Sequence, residues 1–248
     1  MKIYGLIGYP LGHSFSAGYF AGKFERENIK DCIYKNFSID SIQKFPAIIS
    51  ENNEIAGLNV TIPYKELIFP FLNEIDQEAS EIGAVNTIKI FKTGTKTSLK
   101  GFNSDVYGFE LTLRPLLKDY HKKALILGTG GASKAIKFVL KKLHIEYISA
   151  SIEELKENEI RYEAINKAMM QDRLLIIHAT PLGTFPNINN CPAIPYEYIS
   201  SNHVLYDLVY NPEETLFLKK GKEKGAVTIN GLNMLHLQAE RAWEIWNS

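Results

Sequence analysis

The fold of this chain is decided by one stretch, Ala124-Leu125-Ile126-Leu127-Gly128-Thr129-Gly130-Gly131-Ala132-Ser133-Lys134. Its four apolar residues predict a buried strand, its glycines predict a tight turn, and the residues after the turn predict a helix. A helix that opens directly from such a turn offers free backbone N–H groups and the positive end of its dipole to a phosphate. The stretch therefore predicts a dinucleotide site. A plain strand-turn-helix corner is the alternative, because Ser133 replaces the third glycine of the usual Gly-x-Gly-x-x-Gly pattern.

The composition is typical of a soluble globular protein, with 248 residues, 45% hydrophobic and 23% charged, enough for two ordinary domains or one large one. Lys plus Arg and Asp plus Glu each number 28, so we expect neither nucleic acid nor a membrane as a partner. The N-terminus lacks a signal-peptide pattern and no 18 apolar residues run together. This predicts a cytoplasmic protein. Cys32 and Cys191 stand alone, which predicts reduced structural thiols and no metal site.

Strand-like and helix-like segments alternate along the chain, which predicts an α/β fold. The first strand, residues 2–8, leads into a loop that carries Ser14 and Ser16. In an extended loop these two hydroxyls point the same way, so they form a candidate binding pair. Capping of the helix that follows is an equally good interpretation of them.

A second candidate group lies on the predicted strand Leu58–Ile62, where Asn59 and Thr61 share one face. Polar residues near the end of an apolar strand indicate a site at its carboxyl edge. Pro63 suits the first position of a helix, which would place Lys65 in the first turn. There the helix dipole and partial burial would both favour a neutral amine, the form that acts as a general base. The alternative is a solvated lysine paired with a nearby glutamate.

Three more polar residues stand in apolar surroundings. Asn86 interrupts the strand-like segment that begins at residue 83, and Asp105 precedes a predicted helix, where it is either a helix N-terminal carboxylate or a catalytic one. Gln238 lies in the apolar stripe of the closing helix, Met234–Trp246, and needs a polar partner from the backbone or a ligand.

The strand at residues 145–151 should end beside the ribose of a bound adenosine. An acidic residue there favours NAD and an arginine favours NADP, whereas Ser149 and Ser151 offer only hydroxyls. His178 ends the next buried run, and we interpret it as a core histidine rather than a catalyst.

Taken together in chain order, these motifs resemble the shikimate dehydrogenase family over nearly the whole chain. The segments that carry the resemblance are His13-Ser14-Phe15-Ser16, Asn59-Val60-Thr61-Ile62-Pro63-Tyr64-Lys65, Gly83-Ala84-Val85-Asn86-Thr87, Asn103-Ser104-Asp105, the glycine turn, Ala179-Thr180-Pro181-Leu182-Gly183, Tyr206-Asp207-Leu208-Val209-Tyr210-Asn211-Pro212, and Gly231-Leu232-Asn233-Met234-Leu235-His236-Leu237-Gln238.

The resemblance implies reversible, NADP-dependent reduction of 3-dehydroshikimate to shikimate, in the biosynthesis of chorismate and the aromatic amino acids. It implies that Lys65 is the acid/base and that Asp105 assists it. The implied ligands of the substrate carboxylate are Ser14, Ser16 and Tyr210, and those of its hydroxyls are Asn59, Thr61, Asn86 and Gln238. The implied dinucleotide residues are Gly128, Thr129, Gly130, Gly131, Ala132, Ser133, Ser149, Thr180, Leu208 and Gly231.

The implied fold is an N-terminal α/β substrate domain, residues 1–104, and a Rossmann-like dinucleotide domain, residues 105–231, with a cleft between them. The C-terminal helix, within residues 232–248, returns to the first domain. Such a protein is expected to be a monomer or a homodimer.

Two positions depart from the family pattern. Ser104 replaces a threonine, and the arginine that binds the NADP 2′-phosphate is absent from Ser149-Ala150-Ser151. The second departure leaves NAD possible as the cofactor. The alternatives are an NAD-dependent quinate/shikimate dehydrogenase and a dinucleotide- or metabolite-binding sensor without catalysis. Retention of both Lys65 and Asp105 argues against the sensor.

Overall fold

A computed structural model of the chain describes residues 1–12, 15–94 and 96–248. These residues form two compact units: the first comprises Met1–Asp105 and His236–Ser248, and the second comprises Val106–Leu235. The elements up to residue 102 are β1 (Lys2–Gly8), α1 (Phe15–Arg26), β2 (Cys32–Ser38), α2 (Phe45–Glu51), β3 (Ile55–Val60), β4 (Glu74–Ile75), α3 (Gln77–Ile82), β5 (Thr87–Thr93) and β6 (Lys96–Phe102). The remaining elements are α4 (Asp105–Leu113), β7 (Lys123–Leu127), α5 (Gly131–Lys142), β8 (Glu146–Ala150), β9 (Glu159–Ile160), α6 (Lys167–Asp172), β10 (Leu175–His178), β11 (Val204–Asp207), α7 (Leu216–Glu223), β12 (Val227–Ile229) and α8 (Leu232–Asn247).

The first unit is built around a six-stranded sheet of order β2-β1-β3-β5-β6-β4. The strands β2, β1 and β3 run parallel, whereas β5 is antiparallel to both β3 and β6. The end of β3, the start of β5 and the end of β6 therefore share one edge of the sheet, with Asn59 opposite Thr87 and Thr87 opposite Phe102. We call this edge the polar edge.

Apolar side chains cover both faces of this sheet, because successive residues of a strand point to opposite sides. One face carries a cluster around Ile7, Leu58 and Phe45. On the other face Tyr4 packs with aromatic residues of α1 and α8, including Trp246, whose indole N–H donates to the carbonyl of Ile88 at 3.0 Å. This contact anchors the C-terminal helix on the first unit.

The second unit contains a sheet of order β12-β11-β10-β7-β8-β9 in which every pair of neighbours is parallel. Its central strands are continuous apolar runs, as expected when helices cover both faces, and Leu125, Ile126 and Ile176 are fully buried. The strand order reverses on either side of β7, which is where an open α/β sheet binds its ligand. The predicted α/β fold with a Rossmann-like second half and a returning C-terminal helix is confirmed.

One predicted strand ends earlier than expected, and one predicted helix is wrong. The strand predicted to reach Ile62 ends at Val60, and the helix predicted from Pro63 does not form; residues 62–68 contain turns instead. The backbone carbonyl of Lys65 accepts from Val85 N at 2.8 Å, so it is tied to the chain before β5 rather than to a helical ladder. None of the helices in the part of the chain that the structure describes combines the length with the apolar composition that a membrane span requires.

Candidate active site

A buried ion pair lies at the polar edge of the first unit. Lys65 Nζ donates to Asp105 Oδ2 at 2.6 Å, and the two side chains are 15% and 5% exposed. Asp105 lies three residues beyond the end of β6 and begins α4, so it is both a helix N-terminal carboxylate and the partner of Lys65. The dipole argument for a neutral Lys65 does not apply, because Lys65 lies among turns and not at a helix start.

The segment Asn103-Ser104-Asp105 is held by its own side chains. Asn103 Oδ1 accepts from Asp105 N at 3.0 Å, and its Nδ2 donates to the carbonyl of Ala84 at 2.9 Å. The first bond caps the start of α4, and the second ties that start to the chain before β5. These bonds fix the backbone from which the carboxylate of Asp105 projects.

Asn86 is the centre of a buried hydrogen-bond network at the same edge. Its Oδ1 accepts from Ser104 N at 2.7 Å and from Thr87 Oγ1 at 3.0 Å, which leaves its Nδ2 to face Gln238 Oε1 at 3.4 Å. The structure thus brings together Asn86 and Gln238, although they are far apart in sequence. Sequence reasoning missed the part played by Thr87 and Ser104.

Asn59 joins this network from β3. Its Nδ2 donates to the carbonyl of Asn86 at 3.3 Å and to Thr87 Oγ1 at 3.4 Å, and its Oδ1 accepts from the hydroxyl of Tyr34 at 2.8 Å. Ser16, at the start of α1, also hydrogen-bonds Tyr34. Burial raises the pKa of the Tyr34 phenol, an effect that the bond from Ser16 partly offsets, so Tyr34 is a neutral hydroxyl.

The remaining predicted substrate residues differ in placement. Thr61 lies just beyond β3, its amide donates to the carbonyl of Ile7 at 2.9 Å, and its side chain occupies the space that a Cβ on Gly8 would fill. Tyr210 lies in the second unit after β11, and burial raises the pKa of its phenol. Ser14 lies outside the described residues.

In the second unit, the predicted glycine turn follows β7 and leads into α5. Gly128 has φ +109°, and a Cβ on it would lie 2.6 Å from the side chain of Thr180. In contrast, a Cβ on Gly130 or Gly131 would meet nothing within 4 Å. The space beside these two glycines is therefore open at the start of α5, where the first N–H groups of a helix lack partners of the regular helical pattern. Among them, Ser133 N donates to the carbonyl of Gly130 at 2.9 Å. The side chain of Ser133 turns back, and its hydroxyl donates to the carbonyl of Gly130 at 2.6 Å.

The other predicted dinucleotide residues gather at the ends of neighbouring parallel strands. Leu208 N donates to the carbonyl of His178 at 2.9 Å, and a Cβ on Gly231 would lie 2.2 Å from the carbonyl oxygen of Leu208. Only glycine therefore fits after β12. Thr180 follows β10, where its hydroxyl hydrogen-bonds Nε2 of His178.

The two serines of the β8 end are placed differently. Ser149 is fully buried, and its hydroxyl has no hydrogen-bond partner among the described residues. Ser151 lies one residue beyond the strand, where its Oγ is 3.2 Å from Thr129 Oγ1 and accepts from Glu153 N at 3.1 Å. Of the two, Ser151 is the one beside the glycine turn.

His178 is fully buried, which confirms its interpretation as a core residue. Its Nδ1 lies 2.9 Å from Asp207 Oδ1, and Asp207 Oδ2 accepts from the hydroxyl of Thr215 at 2.5 Å. The ring of His178 therefore lies between Asp207 and the hydroxyl of Thr180 and contacts both. Sequence reasoning did not connect His178 with Asp207. The parallel register of β10 and β11, with His178 opposite Asp207, places the two side by side.

Comparison with known proteins identifies the family. A family model described as the shikimate dehydrogenase substrate binding domain matches residues 6–88. A shikimate dehydrogenase (NADP(+)) from Carboxydothermus hydrogenoformans is 38% identical over an alignment that covers 99% of this chain and 91% of the relative.

Two solved structures extend the likeness to the fold. A chorismate mutase/shikimate 5-dehydrogenase fusion protein from Clostridium acetobutylicum has a TM-score of 0.86 and 36% identity, covering 99% of this chain and 90% of that one. Shikimate 5-dehydrogenase from Thermus thermophilus, solved with NADP(H) and shikimate, has a TM-score of 0.82 and 27% identity, covering 99% and 93%. The chain belongs to the shikimate dehydrogenase family, whose members are oxidoreductases acting on a CH–OH group.

Proposed function

We propose that this protein is an NADP-dependent shikimate dehydrogenase that reversibly reduces 3-dehydroshikimate to shikimate on the route to chorismate. The observation that carries the proposal is the Lys65–Asp105 pair, a 2.6 Å contact at an edge otherwise lined by amides and hydroxyls. The names of the relatives support the same activity, since they are NADP(+)-dependent shikimate dehydrogenases. The arrangement can bind a small polyhydroxy acid and move one proton.

Lys65 is proposed as the acid/base. In the reductive direction its ammonium group donates a proton to the oxygen that becomes the substrate hydroxyl, and in the reverse direction the amine takes that proton back. Asp105 holds Nζ in place and balances its charge through the 2.6 Å bond. NADPH, when bound, supplies the hydride to the carbon that carries this oxygen.

The substrate residues are proposed in two groups. Ser14, Ser16 and Tyr210 would bind the carboxylate, and the hydroxyls would be recognised by the four residues Asn59, Thr61, Asn86 and Gln238. The shared network of Asn59, Asn86 and Gln238 supports the second group, because its amides are already held in fixed orientations. A site built from such groups rejects analogues that lack a matching hydroxyl, since a buried amide would lose its partner.

The dinucleotide is proposed to bind at the glycine turn. The open space over Gly130 and Gly131 fits a pyrophosphate, which would be held by the N–H groups at the start of α5. Thr129, Ala132, Ser133, Thr180, Leu208 and Gly231 would line the rest of the site. At the ribose, Ser151 is better placed than the predicted Ser149, whose hydroxyl is buried. Residues 149–155 contain no Lys or Arg, so NAD is the cofactor to test beside NADP.

The two compact units are proposed to bind different ligands. We propose that the first unit is the substrate domain and the second the dinucleotide domain, in line with the substrate-domain match over residues 6–88. We also propose that the protein acts in the cytoplasm as a monomer or homodimer. Size-exclusion chromatography with light scattering would test the oligomeric state.

The decisive experiment is a steady-state assay of the purified protein that follows the absorbance of reduced cofactor. Shikimate and quinate are each supplied with NADP and with NAD. We expect the highest kcat/KM with shikimate and NADP. A preference for quinate with NAD would replace the proposal by a quinate/shikimate dehydrogenase. No turnover, but a rise in melting temperature with shikimate or NADP, would identify a sensor.

A further inference from the structure

Tyr34 connects two residues that the proposed function assigns to the substrate. It lies on β2, and its hydroxyl donates to Asn59 Oδ1 on β3 at 2.8 Å. The same hydroxyl is hydrogen-bonded by Ser16, at the start of α1. One phenol oxygen therefore contacts both a residue proposed to bind the substrate carboxylate, Ser16, and a residue proposed to bind a substrate hydroxyl, Asn59.

The sheet register explains how Tyr34 reaches Asn59. The strand β1 lies between β2 and β3, with Tyr4 opposite Tyr34 and Leu6 opposite Asn59. Because Tyr4 and Leu6 are two residues apart on one strand, Tyr34 and Asn59 project to the same face of the sheet. A long side chain is needed to cross the width of β1, and a phenol provides this length with a hydroxyl at its tip.

The phenol ring is itself fixed. The ring of Phe20 on α1 stacks on it with the centroids 4.7 Å apart and an interplanar angle of 11°. The hydroxyl oxygen therefore has a defined position before any ligand binds. A hydroxyl held in this way can orient a neighbouring amide at little further entropic cost.

The directions of the hydrogen bonds follow from proton counting. Tyr34 has one hydroxyl proton, which goes to Asn59 Oδ1, so the bond with Ser16 uses the proton of Ser16. A bound substrate carboxylate, which only accepts, would take that Ser16 proton instead, while the bond from Tyr34 to Asn59 stays as it is. Asn59 then has only one sensible amide orientation. Its Nδ2 faces the carbonyl of Asn86 at 3.3 Å, and a flipped amide would set two acceptors against each other there.

We propose that Tyr34 is a positioning residue of the substrate site, whose hydroxyl fixes the amide orientation of Asn59. The inference rests on the proposed function, because it assumes that Asn59 binds the substrate. Tyr34 acts through Asn59 and takes no part in the proton transfer. Its loss should weaken substrate recognition and spare both the chemistry and the cofactor.

The test compares Tyr34→Phe with a matched control, Tyr4→Phe. Tyr34→Phe removes only the hydroxyl and keeps the ring that stacks on Phe20. Tyr4 is a buried tyrosine of the same unit, with its ring 4.8 Å from that of Trp246 and its hydroxyl directed to Asn247 at 3.5 Å. Tyr34→Phe removes the hydrogen bond that orients Asn59, so we expect it to raise KM for shikimate about 3- to 10-fold, with kcat and KM for NADP within about twofold. Tyr4→Phe should match the wild type.

A double-mutant cycle separates positioning from a general loss of stability. If Tyr34 acts through Asn59, adding Tyr34→Phe to Asn59→Ala should change KM for shikimate by less than about twofold. Melting temperatures and circular dichroism of all variants check that each protein is folded. The inference is overturned if Tyr34→Phe leaves KM for shikimate unchanged. It is also overturned if the KM increases of Tyr34→Phe and Asn59→Ala multiply in full in the double variant, or if Tyr4→Phe raises KM for shikimate as much as Tyr34→Phe does. A wild-type protein without shikimate turnover would instead overturn the proposed function, and the inference with it.

Discussion

The two units of the molecule present their candidate binding groups in opposite ways. In the first unit the groups are side chains from positions far apart in sequence, such as Asn59, Asn86 and Gln238, joined in one hydrogen-bond network. In the second unit the main groups are backbone N–H groups of one short turn, which lies next to open space because a Cβ on Gly130 or Gly131 would meet no protein atom within 4 Å. Removing side-chain atoms should therefore impair the site in the first unit, whereas adding side-chain atoms to the glycine turn should impair the site in the second unit.

The largest effect is expected from removing the proposed acid/base of the first unit. Lys65→Ala should lower kcat about 1,000-fold, within the range of about 100 to 10,000 that general acid–base catalysis contributes, with a small change in KM for shikimate. The physical reason is that, in the proposed mechanism, the lysine contacts the oxygen whose charge changes in the transition state. Steady-state kinetics with shikimate and NADP would measure both parameters.

The control for this variant is Lys44→Ala, which removes a lysine of the same unit that pairs with Asp40 on the surface. It should keep wild-type kcat and KM. Lys65→Ala also leaves the buried carboxylate of Asp105 without its cation, so its folding must be verified by circular dichroism at the assay temperature. A folded variant that changes only KM would assign Lys65 to binding rather than to proton transfer.

The second-largest effect is a loss of stability, expected when one methyl group is added to the glycine turn of the second unit. Gly128→Ala places a Cβ 2.6 Å from Thr180 Cγ2 and forces alanine into φ +109°, a conformation that L side chains rarely adopt. We expect the free energy of unfolding to fall by about 2–3 kcal/mol, measured by urea titration. Wild-type stability would mean that the turn can relax, and that its shape is not set by Gly128.

Gly130→Ala is the complementary variant, and it should separate binding from stability. Gly130 has φ −68° and ψ −178°, which any residue adopts, and its Cβ would meet no protein atom within 4 Å. Gly130 is the N-cap of α5, where alanine is less favourable than glycine, so the free energy of unfolding should fall by about 1 kcal/mol, less than for Gly128→Ala. The methyl group would stand where a phosphate approaches the backbone, so KM for NADP should rise about tenfold while KM for shikimate is unchanged. An unchanged KM for NADP would exclude this turn as the phosphate site.

The same contrast explains what the sequence could predict. The glycine turn was predictable because strand, turn and helix are contiguous, and the polar strand ends were predictable because parallel strands end at a common edge. Tyr34 was missed because a tyrosine in an alternating strand is read as an apolar residue, and its bond to Asn59 depends on the register across β1. The helix predicted at Pro63 failed because a tertiary bond to the carbonyl of Lys65 outweighs a local preference.

The smallest effect concerns the pH dependence of stability, which should also differ between the units. In the first unit, burial raises the pKa of the Glu240 carboxyl, but hydrogen bonds from Lys23 and Tyr19 outweigh this and lower it below its ordinary value. Its stabilising contribution is present above about pH 4.5 and is lost as the pH falls below that value.

In the second unit, burial lowers the pKa of His203 below its ordinary 6.5, and the neutral ring fits its surroundings because Nδ1 accepts from Ser200 N at 3.0 Å. Below about pH 6.5 the unfolded chain therefore binds a proton that the folded chain does not. The free energy of unfolding should fall as the pH is lowered from about 7 to about 5.5, with a contribution from one proton of at most about 1.4 kcal/mol per pH unit. His203→Gln, which cannot titrate, should give a flatter dependence in urea titrations over this range. If the variant and the wild type had the same slope, His203 would not be the group that makes the second unit sensitive to mild acid, and the expected difference between the units would have to come from other residues.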